Sequence, residues 1–226
     1  MSDINKTKRD DSQLVLSYMG LRKVVGYIGV GLPFVLVIGR LLLTGDTHIL
    51  GSMSSHYYSP VGGIFVGSLC AIGVFLFSYC GYDRRDKIAG RMACAFAVGV
   101  AMFPVRPDEN FTETQELIGR FHLFSAAALF LTLAYFCLRL FVLTDKKKMT
   151  TEKLRRNKVY RTCGWTILGC IAAIGVVEWL FENPYSPYLA SRVKEFSPVF
   201  WLEAIAVVAF GMSWLTKGEA ILADED

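Results

Sequence analysis

The chain has 226 residues and a formal net charge of +4, with 53% hydrophobic residues, 19% charged residues and 16 Phe. Charge nearer a quarter is usual for a soluble domain, so the composition argues against an ordinary soluble fold. The small basic excess gathers in the connections between apolar stretches, which is a topology signal and gives no reason to expect a nucleic-acid partner.

In chain order, residues 1–23 form a polar arm with a Lys6-Thr7-Lys8-Arg9 run and no apolar core followed by a small-residue cleavage site. The first apolar stretch, Val24–Leu43, is therefore expected to act as a retained anchor. Five more follow: Val61–Tyr79, Ile88–Phe103, Arg120–Leu143, Thr162–Phe181 and Val199–Leu215. Most can cross a hydrocarbon core of about 30 Å at about 1.5 Å per residue. The spacing predicts an all-α polytopic membrane protein, a six-helix transmembrane bundle over residues 24–215 with a short tail, 216–226.

Charge sets the expected orientation. The arm carries five Lys/Arg, the second connection four, the fourth eight and the tail Lys217, against four on the other side (Arg106, Arg120, Arg192, Lys194). The first connection, Thr44–Pro60, has none. The positive-inside rule then puts both termini in the cytoplasm.

Close helix packing in lipid needs small side chains. Gly63, Gly67 and Ala71 in the second stretch and Ala89, Ala93, Ala97 and Ala101 in the third recur every four residues. With only Gly81–Lys87 between them, the two helices are expected to form an antiparallel hairpin along those stripes. Gly26, Gly29 and Gly31 precede Pro33 in the first stretch, where the ring should kink the helix. All six cysteines (Cys70, Cys80, Cys94, Cys137, Cys163, Cys170) lie in or at the ends of apolar stretches, which reads as packing and not as a disulfide framework.

The informative chemistry falls at the non-cytoplasmic ends. Arg40, His122, Glu178 and Glu203 each lie within one or two turns of that edge, where ionisable groups face the bundle interior, pair, or snorkel to the interface. All three histidines, His48, His56 and His122, fall on or near the same face. Together with Glu203 they could hold a zinc ion with a place left for water. No His-x-x-x-His or Glu-x-x-His pair fixes two such ligands on one helix. Only His122 lies on a helix, so haem is not expected, and no nucleotide-binding glycine loop occurs.

The connection Gly51-Ser-Met-Ser-Ser-His-Tyr-Tyr-Ser-Pro60 is rich in hydroxyls. Ser55, His56 and Tyr57 could bind a headgroup, and a serine activated by a histidine would be a nucleophile. Tyr57 and Tyr58 also read as an interfacial aromatic belt.

The runs Phe65-Val-Gly-Ser-Leu-Cys-Ala-Ile-Gly-Val-Phe-Leu-Phe-Ser-Tyr79, Gly81-Tyr-Asp-Arg-Arg85, Ala97-Val-Gly-Val-Ala-Met-Phe-Pro104, Phe200-Trp-Leu-Glu-Ala204 and Ser213-Trp-Leu-Thr-Lys-Gly-Glu219 resemble bacterial six-helix inner-membrane proteins grouped as a domain of unknown function. The resemblance covers most of the chain. It implies a bacterial inner-membrane location and the topology above, with no activity to carry over. A distant comparison is the alkaline ceramidase and adiponectin receptor superfamily of seven-helix hydrolases, from which this chain departs in span number and in lacking paired histidines on its last helix.

Three functions fit these residues. The first is binding of a lipid or small amphiphile in a polar outward cavity bounded by Arg40, His122, Glu178 and Glu203 under the Ser55-His56-Tyr57 loop. The second is a metal- or Ser/His-dependent hydrolase or transferase acting on an outer-leaflet lipid. The third is a small-solute or proton-coupled transporter, which would need more polar residues in mid-bundle than Ser, Thr and Cys. Membrane lipids are the expected partners, and a homo-oligomer is left open.

Overall fold

A computed structural model describes residues 2–79, 84–107, 110–144, 150–182 and 187–222, with side chains described from Tyr18 onward except for 187–190. Cys80, the loop residues Gly81 to Asp83, the basic run at 145–149 and the end of the tail lie outside these. Every regular element among the described residues is helical. The helices are α1 (Ser2–Thr44), α2 (Gly62–Phe77), α3 (Arg84–Met102), α4 (Glu113–Tyr135), α5 (Thr151–Glu182), α6 (Pro187–Lys194) and α7 (Pro198–Lys217). A 3-10 turn, Ser54–Tyr58, precedes α2, and a π-helical turn, Phe136–Leu140, ends α4.

Four helices are long and apolar enough to cross a membrane, within Tyr18–Thr44, Glu113–Leu140, Thr151–Glu182 and Pro198–Lys217. This corrects the six spans expected from the sequence. Helix α2 has only 16 residues, about 24 Å against a core of about 30 Å. Helix α3 has 19, but its first two turns carry Arg84, Arg85, Asp86, Lys87 and Arg91. Both helices exist where the apolar stretches put them, and each falls short of spanning by length or by charge. Helix α1 is continuous from Ser2 through Pro33 to Thr44, so the polar arm leads into the first apolar stretch without a break.

The long helices pack as a ring in the order α1, α2, α3, α4, α5, α7, closed by α7 lying between α5 and α1. The hairpin of α2 and α3 forms as expected, with Ala89, Ala93, Ala97 and Ala101 all buried. The partner face on α2 differs from expectation. Gly63 and Gly67 are exposed, and a Cβ there would meet nothing. Phe65, Leu69, Ile72 and Leu76 supply the buried face, with Gly73 against Ala97. A spacing of four marks a stripe but leaves open which stripe a second helix covers.

Helices α1 and α7 cross with their backbones in direct contact. A Cβ on Gly211 would come within 2.7 Å of the Gly26 carbonyl oxygen and the Val30 amide nitrogen. Glycine at 26 and 211 thus lets two backbones touch, as small residues do in membrane bundles. At the end of the ring where α1 begins and α7 finishes, Tyr79, Phe136, Phe141, Phe210 and Trp214 pack edge to face and tilted, with centroids 5.2–6.3 Å apart. Such pairs add roughly 0.5–1.5 kcal/mol each beyond their buried area. That plug closes one end of the bundle and leaves the other for chemistry.

Candidate functional site

At the opposite end, the connection between α1 and α2 folds back into the ring. Its backbone is tied to α7 twice: Ser197 Oγ donates to the Ile49 carbonyl at 2.9 Å, and the Phe200 N–H donates to the Gly51 carbonyl at 3.0 Å. The 3-10 turn then lies over the start of α2, where a Cβ on Gly62 would come within 2.3 Å of the Tyr57 carbonyl oxygen. Only glycine permits that approach. Met53, Ser54 and His56 are consequently buried, while Tyr58 stays half exposed and donates to the Val105 carbonyl at 2.8 Å.

Helix α4 starts with a capping box: the Gln115 N–H donates to Thr112 Oγ1, and the Thr112 N–H donates to Gln115 Oε1. Its buried positions, Gly119, His122, Ser125, Leu129 and Leu133, follow helical spacing, so His122 points inward by register. The imidazole is 4% exposed and bonded on both sides. Nδ1 lies 2.6 Å from the Phe103 carbonyl oxygen and Nε2 lies 3.0 Å from Ser54 Oγ. A carbonyl only accepts, so Nδ1 must carry the proton, and Nε2 of the neutral ring is left to accept from the Ser54 hydroxyl. The serine is thus paired with a base whose tautomer is set by a third group, which is the arrangement that activates a hydroxyl nucleophile.

Glu203 comes from the second turn of α7 and accepts the Met53 N–H at Oε2, 2.6 Å away. The residue before Ser54 is therefore fixed by a side chain, and Glu203 acts as a positioning residue for the turn. Replacing Glu203 with Ala leaves the Met53 amide without its acceptor, and the expected loss is about 1.5–3 kcal/mol of stability. Glu203→Gln keeps an acceptor oxygen and should recover most of it. Thermal unfolding in detergent, with proteolysis of the Gly51–Pro60 connection, checks both.

Below Ser54 and Glu203 an apolar cavity of about 50 Å³ runs into the ring. Its walls come from α1, α2, α3, α4 and α7, and apart from Ser54 and Glu203 they are hydrophobic.

The other expected site residues are placed elsewhere. Arg40 pairs with Asp46 and donates to the His48 carbonyl, closing the start of the loop. The His48 N–H and the Arg40 guanidinium hold the Asp46 carboxyl below the usual carboxylate range. Ser55 bonds to Ser52, with the two hydroxyl oxygens 2.8 Å apart. Tyr57 packs edge to face on Tyr58. Glu178 is on an exposed face of α5, with Lys194 and Arg106 as the cations acting on it. The four zinc candidates are not gathered: His48 is exposed, and among the described residues no group of three or more His, Cys, Asp or Glu could hold a metal.

His56 is 1% exposed, with Nδ1 3.3 and 3.2 Å from the Ser52 and Met53 carbonyl oxygens and its ring against Phe200. Burial lowers its pKa from the ordinary 6.5. The unfolded chain therefore binds a proton here before the folded one does. Stability is full at pH 7 and above and declines as pH falls below about 6.5, because proton uptake favours the unfolded state. Melting at pH 7.5 and pH 5.0 should show this decline, and it should shrink in His56→Asn.

The sequence pointed to His122 and Glu203 but selected Ser55 in place of Ser54. Ser54 and Ser55 are adjacent hydroxyls in one loop, and the way the loop is held against α7 decides which turns inward. The fold and site together define an all-helical protein with four helices long and apolar enough for a membrane and a buried Ser–His pair heading an apolar cavity. No family model, no curated protein and no solved structure matches the chain.

Proposed function

We propose that this protein is an acyl hydrolase or acyltransferase working at a membrane surface, with Ser54 as nucleophile and His122 as general base. The observation that carries the reading is the Ser54 Oγ to His122 Nε2 contact of 3.0 Å, with Nδ1 held by Phe103, at the head of an apolar cavity. In the first step Ser54 Oγ attacks the carbonyl carbon of an ester and its proton passes to His122 Nε2. The bond from that carbon to the leaving alcohol oxygen breaks, and the oxygen takes the proton from Nε2. The acyl-Ser54 ester is then cleaved by water or by an acceptor hydroxyl, which gives its own proton to His122 and restores the serine.

The Lys and Arg distribution supports a bundle with both termini cytoplasmic and this site on the other side. The substrate then approaches from the outer leaflet or the space beyond it. Purified protein in detergent should hydrolyse activated esters, keep that activity in Ser55→Ala and lose it in Ser54→Ala. Equal turnover by Ser54→Ala would refute the assignment.

A second reading, non-covalent binding of an amphiphile, is favoured by one observation: the Met53 amide beside Ser54 is already engaged by Glu203. In that case ligand binds with no ester turnover.

A further inference from the structure

We infer that the cavity beneath Ser54 is an acyl pocket for short chains, so that the group carried by the serine is a short acyl group and not a long fatty chain. The inference rests on the Ser54 reading for the chemistry and on the cavity's dimensions for the substrate class.

The cavity of about 50 Å³ has Ser54 and Glu203 at its head. Space of that size takes roughly three to five waters, or an acyl group of roughly four to six carbons. Its depth follows α7: Glu203, Val207 and Phe210 all line it, which is seven residues, or about 10 Å along the helix axis. Phe210 is 1% exposed and packs against Trp214 with ring centroids 6.0 Å apart, so the floor is backed by the aromatic plug. Leu69 from α2 and Leu133 from α4 flank that depth. A void this large in an otherwise close-packed interior is unusual, and its wall is apolar with the nucleophile at one end. Pockets that enclose whole drug-sized ligands are roughly 300–1,000 Å³. A palmitoyl chain would have to displace Phe210 and the rings behind it, which a packed core resists. Val207 and Phe210 are therefore the residues that set chain length.

The test uses the full-length protein in nanodiscs and esters of one fluorogenic alcohol from acetate through butyrate, hexanoate and octanoate to palmitate. Turnover is expected to fall by about tenfold or more from hexanoate to octanoate, whose two extra methylenes exceed the pocket. Val207→Phe fills the pocket and should lower the butyrate-to-acetate ratio by about tenfold. Phe210→Leu, with Phe210→Ala as the larger cut, deepens it and should raise octanoate relative to butyrate. Equal rates on butyrate and palmitate with Ser54 still required would overturn the inference and leave the serine assignment standing.

Binding without chemistry gives a second readout. In a Ser54→Ala background with Trp165, Trp179 and Trp201 changed to Phe, a neutral brominated ester, methyl 4-bromobutyrate, should quench Trp214 saturably. Methyl butyrate should compete and methyl palmitate should not. Saturable quenching with no turnover in the wild type sustains the pocket and overturns only the chemistry. No saturable quenching overturns the pocket whatever the turnover.

Discussion

Replacing His122 with Gln is expected to lower ester turnover by about 10²–10⁴-fold, the usual worth of a positioned general base. The fall should appear in kcat with little change in KM. The physical reason lies in what glutamine can and cannot imitate at this position. Its amide can still donate to the Phe103 carbonyl or accept from Ser54, so the buried partners that face Nδ1 and Nε2 at 2.6 and 3.0 Å keep much of their hydrogen bonding. It cannot take a proton from Ser54 Oγ. A residue that only held the loop in place would lose stability on substitution and leave turnover per folded molecule unchanged, so melting temperature and kcat measured on the same preparation separate the two roles. His122→Ala is less informative, because it also strands the Ser54 hydroxyl in a buried site at a cost of about 1–3 kcal/mol.

Gly211→Leu should separate α7 from α1 and is expected to be strongly destabilising. A Cβ at this position would sit 2.7 Å from backbone atoms of Gly26 and Val30 and 2.8 Å from Val30 Cγ2. Backbone cannot rotate away as a side chain end can, so the helices must move apart. Even Gly211→Ala should cost about 1–3 kcal/mol through overpacking, and Leu more. Gly67→Ala supplies the control, because a Cβ there would meet nothing within 4 Å. That substitution should be neutral or stabilising by up to about 1 kcal/mol, since alanine is the better helix former. Thermal unfolding of the three variants in one detergent decides the order. Displacement of α7 also moves Glu203, so Gly211→Leu should reduce ester turnover even per folded molecule.

The fold was readable in outline because a helix has to bury or shield its backbone in lipid, and long apolar runs report that need directly. Hydropathy placed the helices, but it did not measure their reach: α2 is too short and α3 too charged at its start to count as spans. The alanine stripe on α3 was correctly taken as an interface. The matching stripe on α2 was not one, because Gly63 and Gly67 turn away from α3. Gly211 carried no warning at all, since nothing in the sequence of α7 distinguishes a glycine at a crossing from one facing lipid.

The site was half legible for a similar reason. His122 and Glu203 are short-range inferences, each fixed by its place in a helix near an end. Arg40 was expected to bound an outward cavity with His122, Glu178 and Glu203 and instead meets Asp46, six residues along, because the chain turns back at once after α1. Ser54 was hidden by Ser55 beside it. Its selection depends on long-range ties of the loop to α7 through Ile49 and Gly51, and these are properties of the folded ring that no local pattern encodes.

Covalent trapping tests the central claim most directly. Full-length protein in detergent is treated with a small alkyl fluorophosphonate, which phosphonylates an activated serine hydroxyl with loss of fluoride, and the adduct is located by peptide mass spectrometry. One adduct on Ser54, strongly slowed in His122→Gln and absent in Ser54→Ala, is the predicted result. No adduct on the folded wild type, or labelling that persists unchanged in Ser54→Ala, would contradict it.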